Sequence, residues 1–268
     1  MTLFDDFEAA LPSSQPMTRV RMVVAYDGTD FHGFAVQHGQ PTVAGVLTDA
    51  ISRVVRCPVE LTCAGRTDAG VHAWGQVVSV DLPAATDLAA LHRSLLKLCG
   101  PQIVVREVEE APPSFDARFS AQARTYRYTV LNRSVPDPFL ARTAWHVPRP
   151  LEMDLLALAC DPFLGEHDFS AFCRRPKVPA GAAPASLVRR VLAAGWTDLG
   201  ADVLRFEITA TAFCHQMVRS VVGTIVSAGH GEVKAGEIRG ILASGDRAKA
   251  APIAPPHGLC LWSVDYGS

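Results

Sequence analysis

Hydrophobic and polar positions recur along this chain in short blocks whose period names an element. After an opening segment of acids, Pro and Ser, "RVRMVVAYDG" reads as a strand ending in a turn. "TVAGVLTDAISRVV" has the spacing of a helix that buries one face, with Thr42 placed to cap it. "VELTCA" and "GQVVSVDL" read as strands on either side of a glycine-framed loop, "DLAALHRSLLKLC" as a second helix and "QIVVREVEE" as a further strand. That β-α-β-β-α-β order is the ferredoxin-like one. From about Arg118 a similar order returns: strands "RTYRYTVLN" and "TAWHV", helix "LEMDLLALAC", strands "LVRRVLAAGWTD" and "DVLRFEITA", helix "CHQMVRSVVGTIVSAG", and a last strand "GLCLWSVDY". The pattern predicts an α+β fold of two ferredoxin-like halves, with mixed, largely antiparallel sheets flanked by helices and a central cleft. It divides the chain into a flexible tail over 1–18, an N-terminal α+β domain over 19–115 carrying the glycine-framed loop, and a C-terminal α+β domain over 116–268.

Composition adds limits. A chain of 268 residues, 49% of them hydrophobic, can bury one large or two small cores, so bulk disorder is set aside. Its seven cysteines are spread without a CxxC pair and read as reduced thiols of a cytoplasmic protein. No apolar run approaches the roughly 18 residues of a membrane helix. A formal net charge of -2 speaks against a uniformly basic nucleic-acid binder. The charge is sorted, however. Between Asp116 and Arg149 six arginines meet only Asp116 and Asp137, and between Arg174 and Arg190 five basic residues occur without an acid. A basic groove on a neutral protein stays open as an expectation.

The glycine-framed loop, "GRTDAG", is where chemistry is expected. Taken alone, Asp68 reads as a turn residue bonded to its own backbone, with the glycines supplying positive φ. A metal site needs several convergent ligands, and only Thr67, Asp68 and His72 are near in sequence, so no metal is expected. A glycosidase needs a second carboxylate that the sequence does not identify. A carboxylate taken out of water also needs a cation to stay charged. On a helical wheel Met217, Val218, Val221, Val222, Ile225 and Val226 form one stripe with Arg219 at its edge, from which it can either reach a cleft or snorkel to solvent. In "RTYRYTV" the strand period puts Tyr126 and Tyr128 on one face and Arg127 on the other, without choosing between core and site.

The string "CAGRTDAGVHA" resembles the signature of the tRNA pseudouridine synthase A family. The resemblance runs through nearly the whole chain beyond the tail, in "YDGTDFHGF", "TVAGVLTDAI", "FDARFSAQARTYRY", "FLGEHDFSAF", "AFCHQMVRSVVG" and "HGLCLWSVDY". It implies an isomerase without cofactors that converts uridine to pseudouridine in the anticodon stem-loop of tRNA, at three neighbouring positions just 3′ of the anticodon, and that works as a homodimer. It implies Asp68 as the nucleophile, Arg219 as its ion-pair partner, Tyr126 as the residue stacking on the target base, and Arg66 as the residue that helps extrude it. Tyr128 stays with the core; His72 and His215 read as structural hydrogen-bonding residues, Trp74 as packing, and Asp168 with Phe169 as a capped turn. The sequence departs from the family at Phe34 and Ala35, where Trp-Gln is usual, and in the Pro/Ala-rich loop from Arg174 to Ser186. These departures bear on substrate range. Two other readings compete: a catalytically silent tRNA-binding or RNA-folding protein on the same scaffold, and an aspartate-dependent nucleoside hydrolase.

Overall fold

The computed structural model describes residues 15–175 and 185–267. The first half runs β1 (Met17–Tyr26), α1 (Val43–Val55), β2 (Thr62–Cys63), β3 (His72–Pro83), α2 (Leu88–Cys99) and β4 (Ile103–Glu110). The second runs β5 (Ala123–Leu131), β6 (Trp145–His146), α3 (Met153–Leu158), β7 (Gly165–Asp168), β8 (Val188–Asp198), β9 (Val203–Ala210), α4 (Met217–Gly229), α5 (Ala235–Ser244) and β10 (Leu259–Asp265). Met17 and Thr18, assigned to the tail, already pair with Pro83 and Leu82 in the sheet. Residues 1–14 lie outside the described residues.

The strands form one ten-stranded sheet, in the order β4-β1-β3-β10-β5-β9-β8-β7, with β2 beside β3 and β6 beside β5. The α+β class holds, but the expectation of a separate sheet for each half is corrected. The physical reason is β10. The last strand of the chain fills the gap between the halves, running parallel to β3 at His72 and Ala73 and antiparallel to β5 across Leu261 and Tyr126. The approach of β3 and β10 needs a glycine at position 75, because a Cβ there would collide with the carbonyl oxygen of Trp262.

Helices cover one face of this sheet in two groups. Val20, Met22 and Val24 of β1 lie in the same core cluster as Val43, Leu47 and Ile51 of α1 and Leu91 and Leu95 of α2. Farther along, Tyr128, Phe206 and Ile208 share it with Val221, Val222 and Ile225 of α4. Each such side chain contributes about 1.5–3 kcal/mol on burial. The Thr42 cap forms, its hydroxyl accepting from the Gly45 N–H at 3.3 Å.

Three elements differ from the sequence reading. α4 begins at Met217, three residues later than the apolar pattern suggests, because Gln216 takes a left-handed φ of 66°. α5 was hidden by Gly236 and Gly240, which weaken helix propensity; burial of Ile238, Ile241 and Leu242 and the Glu237 carboxylate accepting from the Lys234 N–H at 2.9 Å hold it. β7, read as a turn, is an edge strand because it can pair with β8. Among the described residues no helix is long and apolar enough to cross a membrane.

Candidate active site

The loop that carries Asp68 is held by buried polar groups of the sheet. Gln76, fully buried on β3, uses its amide to bracket Gly65: its Oε1 accepts from the Gly65 N–H at 3.3 Å and its Nε2 donates to the Gly65 carbonyl at 2.6 Å. Tyr26 on β1 adds a hydroxyl–hydroxyl bond to Thr67 at 2.8 Å. From outside, the Phe34 N–H donates to the Thr67 carbonyl at 3.1 Å. Gly33 makes this approach possible, with φ of +91° and room for no side chain, since a Cβ would stand 2.8 Å from the Thr67 carbonyl oxygen. A turn then closes from the Val71 N–H to the Asp68 carbonyl at 3.2 Å.

With the backbone fixed in this way, the Asp68 side chain makes none of the local turn bonds that its spacing allowed. Both carboxylate oxygens reach across to residues flanking the start of α4. Arg219 Nη1 donates to Oδ2 at 3.2 Å, and His215 Nε2 lies 3.2 Å from Oδ1. Arg219 is itself anchored, its Nε donating to the Ala254 carbonyl at 2.8 Å, and only 13% of its side chain is exposed against 24% for Asp68. The guanidinium is therefore held at the core margin with its fork turned inward, not snorkelling. An ion pair with one partner so anchored loses little side-chain entropy on forming.

Asp68, Arg66, Tyr126 and Arg219 all line one cavity of about 1050 Å³. Tyr126 is buried on β5, and its ring meets Phe213 edge-on, with centroids 4.9 Å apart. Burial, reinforced by the Asp68 charge, raises the Tyr126 hydroxyl well above the usual phenol range, so it stays protonated at neutral pH. Arg66 is exposed and makes no ion pair or hydrogen bond among the described residues. Cys63 lies on the same wall, but burial pushes its thiol up to about 11, which keeps it a poor nucleophile beside a carboxylate. Arg118, Arg124 and Arg189 also line the cavity, so five arginines meet only Glu60, Asp68 and Asp116 there. A neutral protein thus presents a basic cleft with one carboxylate at its centre.

The sequence model described as tRNA pseudouridine synthase matches residues 22–120 and 159–267. The chain belongs to the tRNA pseudouridine synthase family. A protein of Brevibacillus brevis named tRNA pseudouridine synthase A is 41% identical over 250 residues, covering 93% of this chain and 100% of its own. One of Frankia casuarinae with the same name is 42% identical over 254 residues, covering 93% and 90%. One of Corynebacterium glutamicum, again so named, is 41% identical over 268 residues, covering 93% and 90%.

In this tRNA pseudouridine synthase family member the departures are structural neighbours of the site. Phe34 is buried, its ring 6.2 Å from that of Tyr26, and Ala35 lines the cavity. Of the loop from Arg174 to Ser186, residues 176–184 lie outside the described residues. The Arg174 N–H donates to the His215 carbonyl at 3.0 Å, which ties that loop to the residue beside Asp68. Beside it Cys173 and Cys214 are brought together, with Cα atoms 5.9 Å apart, a spacing within the range that a disulfide spans. A separation of 41 residues hid the pair.

His215, expected as a structural hydrogen-bonding residue, stands 3.2 Å from Asp68 Oδ1; its place four residues before Arg219 was the available signal. His72, by contrast, is structural as expected, its Nδ1 accepting from the Gly28 N–H at 3.1 Å and its Nε2 lying 2.9 Å from the Arg142 carbonyl. Trp74 packs, stacked on Trp262 at 5.9 Å, though it stays 46% exposed. The basic track narrows. Arg127, Arg133, Arg142 and Arg149 pair with Glu207, Asp137, Asp30 and Glu232 at 2.6–3.0 Å. A count along the sequence missed three of these acids because folding brings them from distant segments.

Proposed function

We propose that this protein is a tRNA pseudouridine synthase that isomerises uridine in the anticodon stem-loop, with Asp68 as the nucleophile and Arg219 as its ion-pair partner. Tyr126 packs on the target base, and Arg66 helps to hold it out of its stack. His215, 3.2 Å from Oδ1, is a second polar group that helps to place the Asp68 carboxylate. One observation carries this reading: a lone carboxylate whose two oxygens are met from across a basic cavity, over a buried tyrosine. The N-terminal domain then supplies the nucleophile, and the C-terminal domain supplies Tyr126 and Arg219.

The chemistry breaks the C1′–N1 bond, turns the detached uracil and joins C1′ to C5; the C5 proton is lost and N1 gains one. A carboxylate suits this because it can form and release a covalent link to the substrate. Arg219 holds Oδ2 of the carboxylate in an ion pair at 3.2 Å, and the protonated Tyr126 offers an apolar face to the uracil, worth roughly 1–3 kcal/mol for a stacked base. Arg66, exposed at the cavity, suits a role in base extrusion, which costs a few kcal/mol. By the family resemblance the enzyme acts as a homodimer; size-exclusion chromatography with light scattering tests the dimer, and an active monomer contradicts it.

The function is tested by tritium release from C5-labelled uridine in tRNA. The expected result is release by the parent and none by Asp68→Asn. A parent that binds tRNA tightly without releasing tritium would identify a silent RNA-binding protein instead, and hydrolysis of free nucleosides would identify a hydrolase.

A further inference from the structure

Phe119, on the connection between β4 and β5, lines the same cavity as Asp68 yet is 79% exposed among the described residues. An apolar side chain so exposed usually sits on a mobile tip. Here the backbone around it is fixed. The Asp116 carboxylate accepts from the N–H groups of both Arg118 and Phe119 at 2.8 Å. The preceding Ala117 is fully buried, and its carbonyl accepts from the Tyr266 hydroxyl at 2.8 Å. Arg124 donates from one Nη2 to the Arg118 carbonyl at 2.7 Å and to the Ala64 carbonyl at 3.0 Å. That last pair of bonds ties the Phe119 loop to the first residue of the loop holding the nucleophile. The ring is therefore presented at a set place relative to Asp68.

The chemistry of the presentation is specific. The Arg118 guanidinium lies 5.2 Å from the Phe119 ring centroid, so the two form a flat, cationic and aromatic surface. Such a surface suits an unpaired nucleobase, because every base has a π-face and carries a phosphate within reach of a cation. The cavity, at about 1050 Å³, is at the upper limit of small-molecule sites and has room for more than one extruded base. Tyr126 is too deeply buried to serve any base but the one beside Asp68.

We propose that Phe119 and Arg118 form a second stacking subsite, which takes a nucleobase neighbouring the target uridine and holds the RNA strand while the target turns over. This rests on reading the site as an RNA uridine isomerase. The subsite accepts any base, so it selects for a loop or stem end whose flanking base can unstack, and not for sequence.

The test is equilibrium binding of a fluorescent anticodon stem-loop RNA to the full chain, with and without Phe119→Ala, repeated on RNAs carrying one abasic nucleotide at each position flanking the target. Phe119→Ala should weaken binding by about 5- to 150-fold, the equivalent of ~1–3 kcal/mol for one stacked base. One abasic position should cause a similar loss, and the two changes together should cost no more than either alone, whereas Phe119→Trp should keep parent affinity. Losses that add at every position, unchanged binding by Phe119→Ala, or failure of Phe119→Trp to rescue would overturn the subsite. So would conversion of a dimer to a monomer by Phe119→Ala, which would make the ring a subunit contact. Because binding needs no turnover, a parent that shows the coupling but releases no tritium refutes the isomerase reading and keeps the subsite; a parent that isomerises without coupling does the reverse.

Discussion

The two sides of the Asp68 carboxylate are held by different means. The loop from Ala64 to Val71 is fixed from beneath by Gln76 and Tyr26, both buried in the sheet. The segment from Thr211 to Gln216 is fixed from the flank: the Thr211 N–H donates to the Arg190 carbonyl at 3.1 Å, the Arg174 N–H to the His215 carbonyl at 3.0 Å, and Cys214 meets Cys173. The first side is therefore set by the same groups that stabilise the fold, whereas His215 and Phe213 depend on chain segments next to the Arg174–Ser186 loop. The loop that carries Asp68 cannot be moved without disturbing the core. The segment from Thr211 to Gln216 can be, and one of the departures from the family, the Arg174–Ser186 loop, adjoins it.

The most severe change is at the carboxylate itself. Asp68→Asn keeps the shape and removes the charge, so single-turnover tritium release should vanish while thermal unfolding stays near the parent's. Retained turnover would refute the nucleophile. Arg219→Ala comes next, since it frees Oδ2 and leaves the Ala254 carbonyl without its donor. A displacement of the carboxylate near 1 Å costs on the order of a hundredfold in rate, and a loss below about threefold would remove the ion pair from the mechanism.

Gln76→Leu tests the side held from beneath. It strands the N–H and carbonyl of Gly65 in a buried place, which costs about 1–3 kcal/mol. For a protein of this size each kcal/mol lowers Tm by about 2–4 °C. Calorimetry should show that fall together with roughly tenfold slower turnover, and an unchanged Tm would mean the loop is held by other groups. The smallest effect belongs to the flank. His215→Ala should slow turnover by no more than about tenfold, as expected for a half-exposed imidazole 3.2 Å from a carboxylate oxygen, with Tm unaltered. His215→Gln, which keeps an N–H at similar reach, should restore most of it in kcat and not in KM. Equal rates for Ala and Gln would leave His215 no part in positioning Asp68.

The elements were legible where a local period reports burial. The α4 stripe from Met217 to Val226 and the shared face of Tyr126 and Tyr128 both follow from repeats that a buried face imposes on neighbouring positions. α5 escaped because its two exposed glycines weaken a signal that tertiary burial then overrides. The residues of the site were nameable through family resemblance, which reads a motif and not a distance.

Local matters are written in the string: which stretches become strands and helices, which faces turn inward, and that a glycine-framed aspartate stands between two strands. Only the tertiary structure decided that β10 joins the halves into one sheet and that His215 shares Asp68 with Arg219. It also decided that Cys173 meets Cys214, and that four of the six arginines from Arg118 to Arg149 are spent on acids while Phe119 is left open beside the cleft. The physical reason is range. Hydrophobic periodicity and capping act over a few residues and leave their mark in the string, whereas the contacts that bring Tyr26 to Thr67 and Arg219 to Asp68 span 41 and 151 positions and leave no local pattern to read.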